Sequence, residues 1–322
     1  MCLSWGTNMA THVILGGTGS LGNALARLLL ATMPEQDKVR VLARGEHRLN
    51  GMRRRLPDDR LSFLVGDVRD IERLRLALRG ATYVYHLAAL KHVHTCEYDV
   101  VEAVKTNVDG TANVVRACVD CDVERAVLVS TDKAVDPTTA YGATKHLAER
   151  IFIHGNAYGG AQGPKLMCVR YGNVVASQGS VIELWRRQST EGAPLTMTDP
   201  SITRFWWTVQ DAAQFVYKAM QYGNAGDVLV PLMPSCTLGE LADAVAPNAR
   251  RIRVDGYETE KRHEVLLAAH ETSRATYVNA FDAVRVSYLR PPCNERPWGA
   301  GRMCSADYLD LDGVKQALGG LG

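Results

Sequence analysis

The sequence predicts an α/β protein, a doubly wound parallel sheet followed by a smaller, irregular C-terminal lobe. Three observations predict it. Short apolar runs alternate with helix-periodic stretches through the first half, a glycine-rich turn joins the first run to the first helical stretch, and prolines at 194, 200, 231, 234, 291, 292 and 297 interrupt the second half.

The apolar runs are His12–Leu15, Val39–Ala43, Leu61–Val65, Tyr83–His86, Ala126–Val129 and Leu166–Arg170. Their shortness and their Val and Leu content suit strands covered on both faces. Between them, Asn23–Ala31, Ile71–Leu78, Val101–Val119 and Ala143–Tyr158 carry apolar residues three and four apart, the spacing of crossover helices. The periodicity places a sheet domain at residues 10–175 and the lobe at 176–322, the two partly interleaved. The lobe is expected over the carboxyl ends of the strands, where such sheets hold ligands.

Composition narrows the function. A chain of 322 residues with 46% apolar content buries a large core. Its 37 basic and 35 acidic residues leave a formal charge of +2, too balanced for nucleic acid or an anionic membrane face. No apolar run approaches the roughly 20 residues that span a bilayer, and Met1–Met9 lacks a secretory pattern, so the expected setting is the cytoplasm. Eight scattered cysteines (Cys2, Cys96, Cys118, Cys121, Cys168, Cys236, Cys293 and Cys304) suit free thiols. Cys118 and Cys121 form a C-x-x-C, but no second pair or histidine cluster stands at zinc spacing, and no metal is expected.

Gly16-Gly17-Thr18-Gly19-Ser20-Leu21-Gly22 follows the first strand and opens the first helix. Glycines at 16, 19 and 22 allow a tight turn, close backbone approach to a pyrophosphate and close helix-on-strand packing, with the helix N-terminus facing the phosphates. In that strand–turn–helix setting the segment reads as a dinucleotide site. An NAD site usually carries an acidic residue about 20 positions on, for the ribose 2′-hydroxyl. Here the second strand ends in Ala43-Arg44-Gly45-Glu46-His47-Arg48. Arg44 with Arg48 suits a 2′-phosphate and points to NADP, because a guanidinium grips phosphate through paired hydrogen bonds. The alternative is that Glu46 reaches the ribose and both arginines are solvated. Asp67 and Val68 follow the third strand, where Asp67 either lies beside the adenine or caps the next helix.

The fifth strand runs into Ser130-Thr131-Asp132-Lys133, and Tyr141-Gly142-Ala143-Thr144-Lys145 begins ten residues past Thr131. Residues i and i+4 share a helix face, so Tyr141 and Lys145 both point at the nicotinamide. A phenol of pKa about 10 becomes a useful base when an adjacent ammonium favours the phenolate. Tyr141 is therefore expected to have a lowered pKa.

With His86-Leu87-Ala88-Ala89-Leu90-Lys91-His92, Thr106-Asn107-x-x-Gly110-Thr111, Ser130-Thr131-Asp132-Lys133-Ala134 and Arg170-Tyr171-Gly172-Asn173-Val174, the chain resembles the inverting UDP-N-acetylglucosamine 4,6-dehydratases. These are extended short-chain dehydrogenases with a Rossmann sheet, and relatives that keep configuration at C5 carry Glu where this chain has Lys133. The resemblance runs from about residue 11 to 270. It implies a nucleotide-sugar lyase in which Tyr141 takes the C4 hydroxyl proton as hydride passes to NADP. Lys133, made partly neutral by burial and by Lys145, would remove the C5 proton. Asp132 would protonate the departing C6 hydroxyl, Thr131 would polarise the C4 oxygen, and hydride would return to C6. It also implies that Thr18, Ser20, Leu21, Ala88, Ala89, Lys91, Asn107 and Val174 line the cofactor together with Tyr141 and Lys145. The sugar nucleotide would meet Lys91, Asn173, Gln178, Gly179, Ser180, Val181, Ile182, Thr196, Arg204, Tyr257 and Glu260. Taken alone, Asp132-Lys133 also reads as a surface ion pair, and Arg204 as a lobe-packing residue.

Two positions depart from the resemblance. Ser-Arg-Gly-Ser becomes Ser177-Gln178-Gly179-Ser180, and Arg-Pro-Gly-Glu-Lys-x-His-Glu becomes Tyr257-Glu258-Thr259-Glu260-Lys261-Arg262-His263-Glu264. Either Arg186, Arg253, Lys261 or Arg262 replaces the two arginines near the diphosphate, or the substrate has a different nucleotide part. The Tyr-Lys pair alone would also serve a 4-epimerase, which needs no C5 base or C6 acid, and the fold alone would serve a non-catalytic scaffold. Apolar faces on Val101–Val119 and Ala143–Tyr158 predict a homo-oligomer, a dimer or hexamer.

Overall fold

The computed structural model describes residues 9–175, 180–256, 259–289 and 296–319. Thr11–Leu15 (β1), Lys38–Ala43 (β2), Leu61–Val65 (β3), Tyr83–His86 (β4), Arg125–Thr131 (β5), Lys165–Tyr171 (β6) and Asp227–Pro231 (β7) are parallel, in the order 3-2-1-4-5-6-7. Ala275–Val278 (β8) and Ala283–Ser287 (β9) form an antiparallel hairpin, and β9 pairs with β7. The reversal between β1 and β4 opens a crevice at the carboxyl ends of the strands.

Crossover helices cover both faces. Ser20–Thr32 (α1) buries Gly22, Leu25, Ala26 and Leu29, one stripe of a 3.6-residue period. Glu46–Arg55 (α2) has no such stripe, only Leu49 and Met52 being buried, which is why periodicity overlooks it. Ile71–Leu78 (α3) packs on Gly110–Asp120 (α4), and α4 on Ala140–His154 (α5). Val209–Tyr222 (α6) lies against α1 on the other face.

The single helix expected over Val101–Val119 is broken. Val100–Ala103 is α-helical, Val104–Asp109 is a π-turn, and only Gly110 onward returns to α geometry. The wider turn aims Thr106 and Asn107 inward, and both are buried.

Beyond the strand ends a second core gathers Val175, Ile182, Trp185, Leu195, Ile202, Trp206, Leu241 and Val314. It includes the helix Val181–Thr190 and the parallel pair Leu195–Met197 and Arg251–Arg253. Because α6, β7, β8 and β9 come from beyond residue 176, the chain passes back and forth between sheet and lobe. No described helix is long and apolar enough to cross a membrane.

Arg170, at the carboxyl end of β6, joins the layers. Its Nε and Nη2 donate to Glu149 on α5 at 3.1 and 2.7 Å, and its Nη1 and Nη2 to Glu271 at 2.8 and 3.0 Å. Burial acts to raise the Glu271 carboxyl, but Arg170, the Tyr288 hydroxyl and the Ala268 N–H outweigh it and bring it from 4.5 down to about 2. A depressed carboxylate stabilises the fold above its unfolded pKa and loses that contribution as pH falls through the folded value, here from about 4.5 to about 2. In urea unfolding against pH, Glu271→Gln is expected to flatten this acid limb, and an unchanged limb would refute the coupling. Arg170→Met strands two buried carboxylates and is expected to cost about 3–5 kcal/mol.

Candidate active site

The glycine-rich turn is sterically dictated. Gly16 has φ +79°, and a Cβ there would lie 2.7 Å from the Ala88 backbone; at Gly22 it would strike the Gly17 backbone. The turn brings the N-terminus of α1, uncapped by any side chain, onto a cavity of about 1360 Å³ between sheet and lobe. That volume suits a dinucleotide and a second ligand together.

Most of the expected site residues line this one cavity. Gly16, Thr18, Gly19, Ser20, Leu21, Gly22, Arg44, Arg48, Asp67 and Val68 stand at the α1 end. Ala88, Ala89, Lys91, Thr131, Lys133, Tyr141 and Lys145 form the middle, and Asn173, Val174, Ser180, Val181, Thr196, Arg204 and Glu260 the lobe side. Gln178, Gly179 and Tyr257 lie outside the described residues. Glu46 does not line the cavity, while Arg44 and Arg48 do.

Two expected contacts are corrected. Asn107 lies behind the wall; it accepts from the Leu90 N–H at 2.8 Å and donates to the Leu90 carbonyl and the Thr144 hydroxyl, both at 3.0 Å, so it fixes the Ala88–Lys91 loop from beneath. Ile182 is fully buried in the lobe core, because the helix that turns Val181 to the cavity turns its neighbour about 100° away. Asp132 is fully buried and reaches the cavity only through its neighbours. The alternative role of Asp67 also falls, since Asp70 caps α3. The Asp67 carboxylate is bound by Arg69 at 2.7 and 3.0 Å, with Arg44 at 3.9 Å.

The chemical centre lies where β5 ends. The Thr131 hydroxyl donates to Asp132 Oδ1 at 2.9 Å and shares a hydrogen bond with Tyr141. Lys133 Nζ lies 3.1 Å from Asp132 Oδ1, 3.4 Å from Asn173 Oδ1 and 3.4 Å from Glu264 Oε1. On α5, Lys145 Nζ donates to the Val129 carbonyl at 2.8 Å. Asp132-Lys133 is thus not a surface pair, since Asp132 is buried behind the wall on which Lys133 stands, and Arg204, its Nη2 3.0 Å from Glu260 Oε1, lines the same wall.

Burial reshapes the acidities. It pushes the Tyr141 phenol up to about 12, with Lys133 and the Thr131 hydrogen bond opposing only in part, so the lowered phenol is not what this chain alone provides. Lys145 falls to about 8 by burial, with Glu149 opposing. Burial also acts to lower Lys133, but Asp132 and Glu264 outweigh it and hold the ammonium well above its ordinary range. This overturns the expectation of a depressed Lys133, which took account of burial without the second carboxylate. Burial raises Asp132, with Lys133 opposing.

Glu264 is the site residue that sequence reasoning missed. It is 3% exposed and lines the cavity. It closes the Lys-x-His-Glu segment noted above, the one signal that could have marked it.

The polysaccharide biosynthesis protein family matches residues 13–285. The chain belongs to this family. Among its family relatives, an inverting UDP-N-acetylglucosamine 4,6-dehydratase of Campylobacter jejuni is 36% identical over 84% of this chain and 80% of its own length. A UDP-glucose 4-epimerase of Rickettsia rickettsii is 41% identical over 82% of this chain and 80% of its own length. The X-ray structure of Pen from Bacillus thuringiensis matches with a TM-score of 0.91 at 30% identity, over 98% of both chains. The architecture is the extended short-chain dehydrogenase Rossmann fold.

An ultraviolet difference titration of the cofactor-free chain against Tyr141→Phe is expected to show the Tyr141 phenolate forming only near pH 12. A phenolate at neutral pH would contradict the dominance of burial.

Proposed function

We propose that this family member is an NADP-dependent nucleotide-sugar 4,6-dehydratase that inverts C5 and acts on a UDP-N-acetylglucosamine-like substrate. One observation carries the reading. Alcohol oxidation needs only Tyr141, yet Lys133 stands on the cavity wall beside it with Asp132 buried 3.1 Å behind, an acid and a base of the kind that elimination requires.

The proton path follows the hydrogen bonds. Tyr141 accepts the C4 hydroxyl proton as hydride leaves C4, and Thr131, bonded to Tyr141 and to Asp132 Oδ1, passes it inward. Asp132 receives this proton, which burial of its carboxyl helps it to hold, and returns it through Thr131 to the departing C6 hydroxyl. Lys133 faces the cavity and, once it has shed its own proton, takes the C5 proton. When bound, the nicotinamide accepts hydride from C4 and gives it back at C6.

Arg44 and Arg48 at the α1 end support a 2′-phosphate and hence NADP. Arg204 and Lys261 line the lobe side and supply positive charge for a diphosphate where Gln178 and Tyr257 do not. Exposed Tyr98, Val101 and Leu147, on packed helices, support a homo-oligomer through this face.

Incubated with UDP-N-acetylglucosamine in deuterated water, the protein is expected to form a product lighter by one water with deuterium at C5. A 4-epimerase, the reading favoured by the Rickettsia relative's name, would give an isomer of unchanged mass with no label there. Arg44→Ala is expected to weaken NADP binding about 10- to 100-fold while leaving NAD unaffected, since it removes charge-assisted bonds to one phosphate. Equal losses for the two cofactors would remove the case for NADP.

A further inference from the structure

Two carboxylates bracket Lys133, and they are not equivalent. Asp132 lies behind the cavity wall, whereas Glu264 stands on it. Glu264 Oε1 is 3.4 Å from Lys133 Nζ, and its Oε2 is buried without a hydrogen bond, 3.7 Å from Lys261 Nζ. The position is built from the lobe: Val265–Leu267 pairs with Met303–Cys304, and the Glu264 N–H donates to the Ser305 hydroxyl at 2.9 Å.

We infer that Glu264 takes from Lys133 the proton that this amine must shed before it can attack C5–H. The inference rests on the dehydratase reading. An ammonium has no lone pair, so Lys133 as found between two carboxylates is not a base. Asp132 cannot relieve it, because Asp132 must hold the proton destined for the C6 hydroxyl. Among the described groups that face Lys133, Arg204 is a cation, Tyr141 a phenol and Asn173 an amide, which leaves Glu264 as the acceptor within reach.

The elimination then balances. A proton moves from Lys133 Nζ to Glu264 Oε1; the freed amine takes the C5 proton; the C5–H electron pair forms the C5–C6 double bond as the C6–O bond breaks; and Asp132 protonates the departing hydroxide to water. When C5 is reprotonated, Glu264 hands its proton back, to Lys133 if Lys133 is the donor and to hydroxide if water is. Glu264 acts through Lys133 and is a positioning residue in that sense. Burial acts to raise its carboxyl, while Lys133, Arg204 and Lys261 pull it lower, so it starts as the carboxylate the step requires.

Single turnovers with NADP and UDP-N-acetylglucosamine test this by following nicotinamide absorbance, deuterium wash-in at C5 and product mass. Glu264→Gln is expected to reduce nicotinamide at the wild-type rate, which reports an intact fold, yet to wash in deuterium about 100-fold more slowly. That deficit should shrink as pH rises and solvent takes the Lys133 proton, while Glu264→Asp keeps most of the wild-type rate. Wild-type wash-in by Glu264→Gln, or equal slowing of reduction and wash-in at every pH, would overturn the assignment to Glu264 and leave the dehydratase reading standing. A wild-type protein that neither loses water from the sugar nor exchanges C5 would overturn both.

Discussion

The guanidinium of Arg170 leaves β6 and uses every N–H it has, on Glu149, on Glu271 and on the Leu266 carbonyl. An uncompensated charge at this depth would not be tolerated, and a lysine could not engage both carboxylates with parallel bonds. The geometry has long reach because of where the partners sit. Glu149 is one turn beyond Lys145 and two beyond Tyr141 on α5, and Glu271 follows closely on the segment that carries Glu264. One planar side chain therefore sets α5, the helix of Tyr141 and Lys145, against the lobe wall that faces it, and the spacing across the cavity depends on it.

Charge alternates along both buried chains of contacts. Lys145, Glu149, Arg170 and Glu271 form one, each charge followed by its opposite. In the other, Lys261, Glu264, Lys133 and Asp132 run along the wall, with Arg204 and Glu260 paired beside them. Each chain sums to zero, which is how so many ionisable groups are buried without leaving one unpaired. Neutrality also bears on mechanism. A proton passed from Lys133 to Glu264 changes no total charge, so the site can convert ion pair to neutral acid and base without drawing on solvent.

What the sequence revealed follows from the range of the interactions involved. The turn at Gly16–Gly22 and the Tyr141–Lys145 face are written within single elements, where spacing determines geometry. Thr131, Asp132 and Lys133 are legible for the same reason, sitting together at a strand end. The acidity of Lys133 was not legible, because its sign depends on Glu264, brought in by a distant lobe segment. Burial and one like-charged neighbour argue for a depressed amine; a second carboxylate reverses that. Asn107 and Ile182 show a subtler limit. Both belong to segments that build the site, but a π-turn and a helix phase decide which side chains reach it.

The names of the relatives divide between dehydratase and epimerase at similar identity, and the shared scaffold cannot choose between them. The discriminating chemistry lies at C5. An epimerase that works through C4 must let the sugar present either face of a ketone, and it gains nothing from a base aimed at C5–H. Buried acid and base groups are costly to retain unless they are used, and this wall keeps Asp132, Lys133 and Glu264 in contact beside Tyr141. In the proposed dehydratase a ketone at C4 would acidify C5–H, and the contacts among Asp132, Lys133 and Glu264 would supply the proton acceptor for that bond. On that proposal, oxidation and elimination are consecutive consequences of one arrangement of side chains.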